Sequence, residues 1–155
     1  MNYYDKLSKG YDELYGDEQV AKLKFINNLI KIKGLLLDVG CGTGLALNFF
    51  KVKSVGVDNS YSMLKKASGN VIKANAENLP FKDKTFDTVI SITSIQNFSN
   101  PEKAVMEMKR VSINNVVITI IKKSKKLSLI RDLIKKHFKS YKEYNQEKDI
   151  IFIMN

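Results

Sequence analysis

The sequence is poor in the residues that build covalent and metal frameworks. Cys41 is its one cysteine, which excludes a disulfide scaffold and a cysteine-rich metal site, and a reducing cytoplasm is the expected compartment. His137 is the one histidine, so no metal centre is expected. Prolines occur at Pro80 and Pro101 alone, and no Pro/Gly/Ser-rich linker or internal repeat is visible. Long apolar runs are missing too. A stretch such as "VVITII" (Val116–Ile121) is far too short to cross a bilayer, and no membrane association is expected. The opening "MNYYDKLSKGYDELYG" carries charges throughout and lacks the apolar centre of a signal peptide.

What remains is a chain of 155 residues with 44% apolar side chains, enough for one domain with one core. Its formal charge is +10, unevenly spread. Residues 1–30 hold four lysines against five acids, whereas residues 122–148 hold ten Lys/Arg against three acids. That Lys122–Lys148 block invites an anionic partner such as RNA. Arginine is nearly absent, at Arg110 and Arg131 only, while Asn, Ile and Tyr are frequent. An AT-rich genome yields the same composition, and a lysine surface of that origin needs no partner.

Periodicity sets the elements. Apolar spacing predicts a helix from Asp17 to about Ile32. "GLLLDVG" and "KSVGVD" read as buried strands, and "NVIKANA", "FDTVISIT" and "NNVVITIIK" as the third, fourth and fifth strands. Helices "GLALNFF", "SYSMLKKAS", "NPEKAVMEMKRV" and "KLSLIRDLIKKHF" separate or follow them. Ser60 and Asn100 stand at N-cap positions, the latter followed by Pro101 and Glu102. In the last helix Leu127, Ile130, Leu133, Ile134 and Phe138 face inward, and Arg131, Lys135, Lys136 and Lys139 face out. "SYKEY" and "DIIFIMN" form a closing hairpin joined by "NQEK", too short for a crossover, hence antiparallel. The fold class is therefore α/β: a Rossmann-like three-layer sandwich, with a mainly parallel seven-stranded sheet ending in an antiparallel hairpin.

The chemistry begins at "GLLLDVGCGTGLAL", Gly34 to Leu47. A buried strand ends in Asp38, and glycines follow at 40, 42 and 44. Such glycines let a turn bend sharply and let a ligand approach the backbone. The second strand ends at Asp58, where a carboxylate can accept from both hydroxyls of a ribose. Strand, glycine turn, helix, strand and acid make a nucleoside site. A turn used for packing alone would explain the glycines but not the two acids. The spacing is not the G-x-G-x-x-G of dinucleotide enzymes, and no G-K-[S/T] phosphate loop follows.

"LLLDVGCGTG", "VGVDNS" and "NAENLPFKDKTFDTVIS" together resemble the class I S-adenosylmethionine-dependent methyltransferases, and in particular their small type 11 branch. The likeness runs from about Tyr11 to Val117. It implies S-adenosylmethionine as cofactor, with S-adenosylhomocysteine as product. It also implies that Asp38, Gly40, Cys41, Gly42, Thr43 and Gly44 pass under the methionine part, that Asp58 holds the ribose, and that Asn59 and Met63 lie near the adenine. Asn75-Ala76 stands where the family usually has Asp and a small residue. Asn75 is a departure, still an acceptor but uncharged. Thr93 and Ser94 would line the transfer site, with Gln96 and Asn97 as further acceptor-side candidates or as caps of their loop. "GYDELYG" resembles the segment that closes over the cofactor, Tyr11 being its contact. Residues 1–155 then form a single methyltransferase domain in which 1–32 is a helical segment and candidate lid.

No general base stands out. His137 sits among lysines on the last helix, and Cys41 inside the glycine turn is a poor nucleophile candidate. The N/D-P-P-Y signature of amino-group methyltransferases is replaced by "SITSIQNF". Three functions compete. The first is methyl transfer to RNA or protein, supported by the lack of an inserted cap and by the lysine block. The second is transfer to a small molecule, which would call for a lid. The third is a cofactor-binding subunit that works through a small activator protein, docked where "NVIKANA" forms a sheet edge.

Overall fold

The computed structural model describes residues 3–155, with side chains from Gly16 onward. The chain falls into two compact units, Met1–Lys31 and Ile32–Asn155. The first is one helix, α1 (Tyr3–Leu29). It begins well before the expected Asp17. Gly10 and Gly16 lie within it, each weakening a helix by about 1 kcal/mol without forbidding it. Before Val20, Tyr4, Leu7, Tyr11 and Leu14 do recur at helical spacing, but two glycines and many charges break up the segment.

The second unit is built on a seven-stranded sheet of order β3-β2-β1-β4-β5-β7-β6. Its strands are β1 (Leu36–Val39), β2 (Ser54–Asp58), β3 (Val71–Lys73), β4 (Phe86–Ile92), β5 (Ser112–Ile121), β6 (Tyr141–Gln146) and β7 (Asp149–Met154). Helices α2 (Leu45–Phe49), α3 (Tyr61–Lys66), α4 (Pro101–Val111) and α5 (Leu127–His137) connect them, and a 3₁₀ turn spans Ile95–Asn97. Strands β1 to β5 pair in parallel, while β7 runs antiparallel to both β5 and β6. The architecture expected from the sequence is the one observed.

Apolar continuity explains the sheet's interior. Leu36, Leu37, Val39, Val89, Ile90, Val117, Ile118, Ile151 and Phe152 are all shut away from solvent, as strands covered on both faces must be. On α4, Ala104, Val105, Met108 and Val111 form the buried face. Of the five α5 residues expected to face inward, Ile130, Leu133, Ile134 and Phe138 are buried and Leu127 is half-buried. The hairpin turn is tighter than "NQEK". Asn145 and Gln146 belong to β6, leaving Glu147-Lys148, with Glu147 in the left-handed region at φ 47. Turn-forming composition misled there, because an edge strand accepts polar residues whose backbone is paired on one side.

The caps read from sequence are in place. Ser60 Oγ accepts from Met63 N at 3.4 Å, and Asn100 Oδ1 accepts from Lys103 N at 3.1 Å. Asn100→Ala should cost about 1 kcal/mol in a urea melt, with no change in the slope of the transition.

Strand order reverses between β1 and β4. β1 leads outward to β2 and β3, and β4 leads the other way to β5. In an open α/β sheet, this crevice at the strands' carboxyl ends is where a ligand sits.

Candidate functional site

The turn after β1 crosses to β2. Gly40 N and Cys41 N both donate to Val57 O, at 2.8 and 3.0 Å, and Gly44 N closes the turn on Cys41 O at 2.9 Å. All three glycines lie in the left-handed region, with φ of 78, 54 and 86° for Gly40, Gly42 and Gly44. Their reasons differ. A Cβ on Gly40 would stand 2.6 Å from Ser94 Cβ, and one on Gly44 would stand 2.6 Å from the backbone oxygen of Ser68. A Cβ on Gly42 would meet nothing within 4 Å. Two glycines are thus required by the protein's own packing. The third faces open space.

Asp58, at the end of β2, binds this turn from the other side. Its Oδ2 accepts from Gly42 N at 2.9 Å and its Oδ1 from Ser60 N at 2.8 Å. Each carboxylate oxygen has a second lone pair, so the group keeps acceptor capacity after fixing its own loop. Asp38, at the end of β1, is different. It is buried, and its Oδ1 has no hydrogen-bond partner among the described residues. Burial, and then the charge of Asp58, push its carboxyl up to about 7. A buried carboxylate with an unused oxygen calls for a cation or a donor.

Cys41 is buried beside these acids. Burial first, then Asp38 and Asp58, push its thiol up to about 12. A thiol held that high stays protonated at neutral pH and is a poor nucleophile.

The loop after β4 faces the glycine turn. Thr93 takes φ 52, rare for a β-branched residue and costing on the order of 1–3 kcal/mol. It is held there by Thr119 of β5, whose Oγ1 accepts from Thr93 N at 2.8 Å. Ser94 Oγ lies 3.0 Å from Gly40 O and 3.1 Å from Ile92 O, tying this loop to the glycine turn. Gln96 Nε2 donates to Thr93 O at 3.0 Å, while its buried Oε1 has no partner among the described residues. Asn97 N closes the 3₁₀ turn on Ser94 O at 2.9 Å, and its side chain is exposed.

On the far side of β2, Asn59 and Met63 are exposed and Ala76 is buried. Asn75 Oδ1 accepts from Glu77 N at 2.9 Å, so part of its acceptor capacity shapes its own loop. Tyr11 lies outside the described side chains. His137 Nε2 sits 2.8 Å from Glu102 Oε1, which also takes Lys136 Nζ at 2.7 Å. That cluster joins α5 to α4 and includes no residue of the two turns.

Four contributors were not visible in the sequence as site residues. Thr119, the one polar side chain in "VVITII", supports Thr93. Lys126 Nζ donates to Gln96 O at 2.7 Å. Arg110 and Glu107 of α4 hold the loop after Asn75-Ala76. Glu107 Oε2 accepts from Leu79 N at 2.7 Å, and Arg110 donates to Phe81 O at 2.7 Å, to Leu79 O at 3.1 Å and to Asp83 at 2.9 Å. The scarcity of arginine was the available signal: Arg131 likewise makes a two-pronged pair, with Glu143 at 2.7 and 3.0 Å. Among the described residues no group of three or more metal-ligand side chains occurs, and no helix is long and apolar enough to cross a membrane.

Comparison with known proteins fits this geometry. Residues 37–120 match the family model described as a methyltransferase domain. An uncharacterised protein of Methanocaldococcus jannaschii is 36% identical over 148 residues, covering 90% of this chain. The chain spans only 59% of that relative's length. The crystal structure of a SAM-dependent methyltransferase (possible histamine N-methyltransferase) from Thermotoga maritima superposes with a TM-score of 0.77 at 21% identity, over 97% of each chain. A methyltransferase in complex with the Haloferax volcanii Trm112 methyltransferase activator superposes with a TM-score of 0.75 at 13% identity, over 99% of this chain and 97% of that one.

Proposed function

The chain belongs to the methyltransferase domain family, in the type 11 branch of the S-adenosylmethionine-dependent enzymes, and from that premise we propose that the two turns at the crevice hold the cofactor for methyl transfer to a large acceptor, RNA or protein, with residues 1–155 acting as one domain. The observation that carries the proposal is Asp38. Its buried, unpartnered oxygen stands at the glycine turn, where Gly42 leaves open space, and both suit the cationic methionine end of the cofactor. The donor and acceptor set fits the group.

In this reading the main chain from Gly40 to Gly44, with Cys41 and Thr43, lies under the methionine part. Asp58 offers its remaining lone pairs to the ribose hydroxyls. Asn59, Met63, Asn75 and Ala76 border the adenine. When bound, S-adenosylmethionine supplies a methyl already activated on a sulfonium. The chain's task is then alignment, which can lower a barrier by roughly 7–11 kcal/mol at best. Thr93 and Ser94 line the transfer side, fixed by Thr119 and by Gly40. Gln96 and Asn97 face the acceptor. With the methyl already activated, an acceptor atom that carries a usable lone pair needs no strong base.

Asp38 makes binding depend on pH. Its carboxyl, raised to about 7 in the free protein, is mostly protonated at pH 5.5 and ionised above neutrality. A cation beside it favours the ionised form, so cofactor affinity should rise between about pH 5.5 and 7.5. Calorimetry across that range checks this, and Asp38→Asn should flatten the rise. In the free protein the sign is opposite. A raised acid contributes stability fully below its unfolded value of 3.8 and loses it as pH climbs through about 7.

A second reading involves a partner. β3 is a three-residue edge strand with exposed Ile72, and Met63 and Tyr61 of α3 are exposed too. The Haloferax volcanii neighbour is complexed with an activator, which supports a partner of that kind, and here a small activator would dock at this edge. Methyl-labelled cofactor, incubated with the protein and separated RNA, protein and small-molecule fractions of a cell extract, tests these together. Label in RNA or protein supports the proposal. Label in small molecules alone contradicts the acceptor class, and label that appears only after adding a small activator protein supports the partner reading.

A further inference from the structure

The strongly basic C-terminal block divides, in the structure, into lysines that are neutralised and lysines that are not. On α5, Arg131 is paired with Glu143 and Lys136 with Glu102. The turn between β5 and α5 reads Lys122-Lys123-Ser124-Lys125-Lys126 and contains no acid. Lys123 and Lys125 are exposed, and none of the described ion pairs takes either of them.

This turn stands at the active end of the sheet. β4 and β5 are parallel neighbours with Ile92 opposite Thr119, so both chains leave the sheet at the same edge. Lys126 Nζ reaches across to Gln96 O in the acceptor-side loop. Lys122 N donates to Lys148 O at 2.8 Å, and its Nζ donates to Glu147 O, which brings the β6–β7 turn and Lys148 to the same rim. Helix stability does not account for the charge. Lys126 is the N-cap residue of α5, makes no capping bond, and no acid lies in the first turn. Cations at a helix N-terminus oppose the macrodipole.

We propose that Lys122, Lys123, Lys125 and Lys126 form a phosphate-binding rim that holds an RNA acceptor across the Thr93–Asn97 loop. The inference rests on the methyltransferase reading and narrows its acceptor to RNA. Every nucleotide carries a phosphate, so a row of lysine point charges engages RNA in any register and positions it without reading sequence. Base recognition then falls to the acceptor loop itself.

The test is the binding of a labelled single-stranded RNA, about 20 nucleotides long, followed by fluorescence anisotropy between about 50 and 200 mM KCl. The double variant Lys123→Glu, Lys125→Glu should bind at least about tenfold more weakly at the low-salt end, and its log–log salt slope should shrink by about 1.4, two contacts at about 0.7 each. The control Lys135→Glu, Lys139→Glu, on the outer face of α5, should keep the wild-type slope. Binding of S-adenosylhomocysteine by calorimetry should be unchanged in both. An unaltered slope in the rim variant, equal losses in both variants, or displacement of RNA by a polyglutamate peptide at equal charge concentration overturns the proposal. Loss of RNA binding alone in the wild-type protein overturns the rim, whereas failure to bind S-adenosylhomocysteine overturns the reading beneath it.

Discussion

Asp58→Ala should weaken S-adenosylhomocysteine binding by about 100-fold or more. The carboxylate is expected to accept from two ribose hydroxyls, and hydrogen bonds to a charged group contribute about 1.5–3 kcal/mol each. Losing both corresponds to roughly two to four powers of ten in affinity. The turn would loosen as well, because Gly42 N and Ser60 N lose their acceptors at 2.9 and 2.8 Å. Asp58→Asn separates these effects. Its amide keeps one oxygen, so it retains one of the two main-chain bonds, and its affinity should fall between wild type and alanine. Calorimetry gives the affinities, and circular dichroism confirms that each variant is folded. Wild-type affinity in the alanine variant would remove Asp58 from the site.

Gly44→Ala should be the most destabilising change in the glycine turn. Its Cβ would lie 2.6 Å from Ser68 O, a backbone atom that cannot swing aside, and the residue would be held at φ 86. The left-handed conformation costs about 1–2 kcal/mol and overpacking about 1–3 more. A total of about 2–5 kcal/mol is a large part of the 5–15 typical of a domain. At roughly 2–4 °C per kcal/mol, the melting temperature should drop by about 4–20 °C. Gly42→Ala is the contrast. It carries only the conformational penalty, because nothing lies within 4 Å of its Cβ. Its melting temperature should fall by about 2–8 °C, less than for Gly44→Ala, while its cofactor affinity falls, since the new methyl enters the space assigned to the cofactor. Thermal melts in the absence and presence of S-adenosylhomocysteine distinguish the two. Equal melting temperatures for both variants would refute the packing argument.

What the sequence made legible follows from locality. Asp38, the three glycines and Asp58 are close in sequence, and each is constrained by backbone geometry that a residue type reveals. Asn100 and Ser60 cap their helices through bonds three residues away. The reversed hairpin followed from a connection too short to cross the sheet. The supports of the site were another matter, because they come from distant segments. Ser94 meets Gly40 across 54 positions, Thr93 meets Thr119 across 26, and Arg110 reaches Leu79 across 31. No spacing rule announces such pairs, and only the fold brings them together. The first half of α1 is local too: Tyr4, Leu7, Tyr11 and Leu14 carry a helical period, but Gly10 and Gly16 read as breaks in it.

The division of the lysines belongs to the same class. A total charge says that cations are present. Which of them meet acids depends on Glu102 and Glu143 lying beside α5.

The most direct measurement is a calorimetric titration of the wild-type protein with S-adenosylhomocysteine at pH 7.5. Saturable binding to one site per chain is expected, weakened by about 100-fold or more in Asp58→Ala and weakened in Gly42→Ala. Absence of binding to a folded wild-type protein would contradict it, and the turn between β1 and α2 would then be a packing device only.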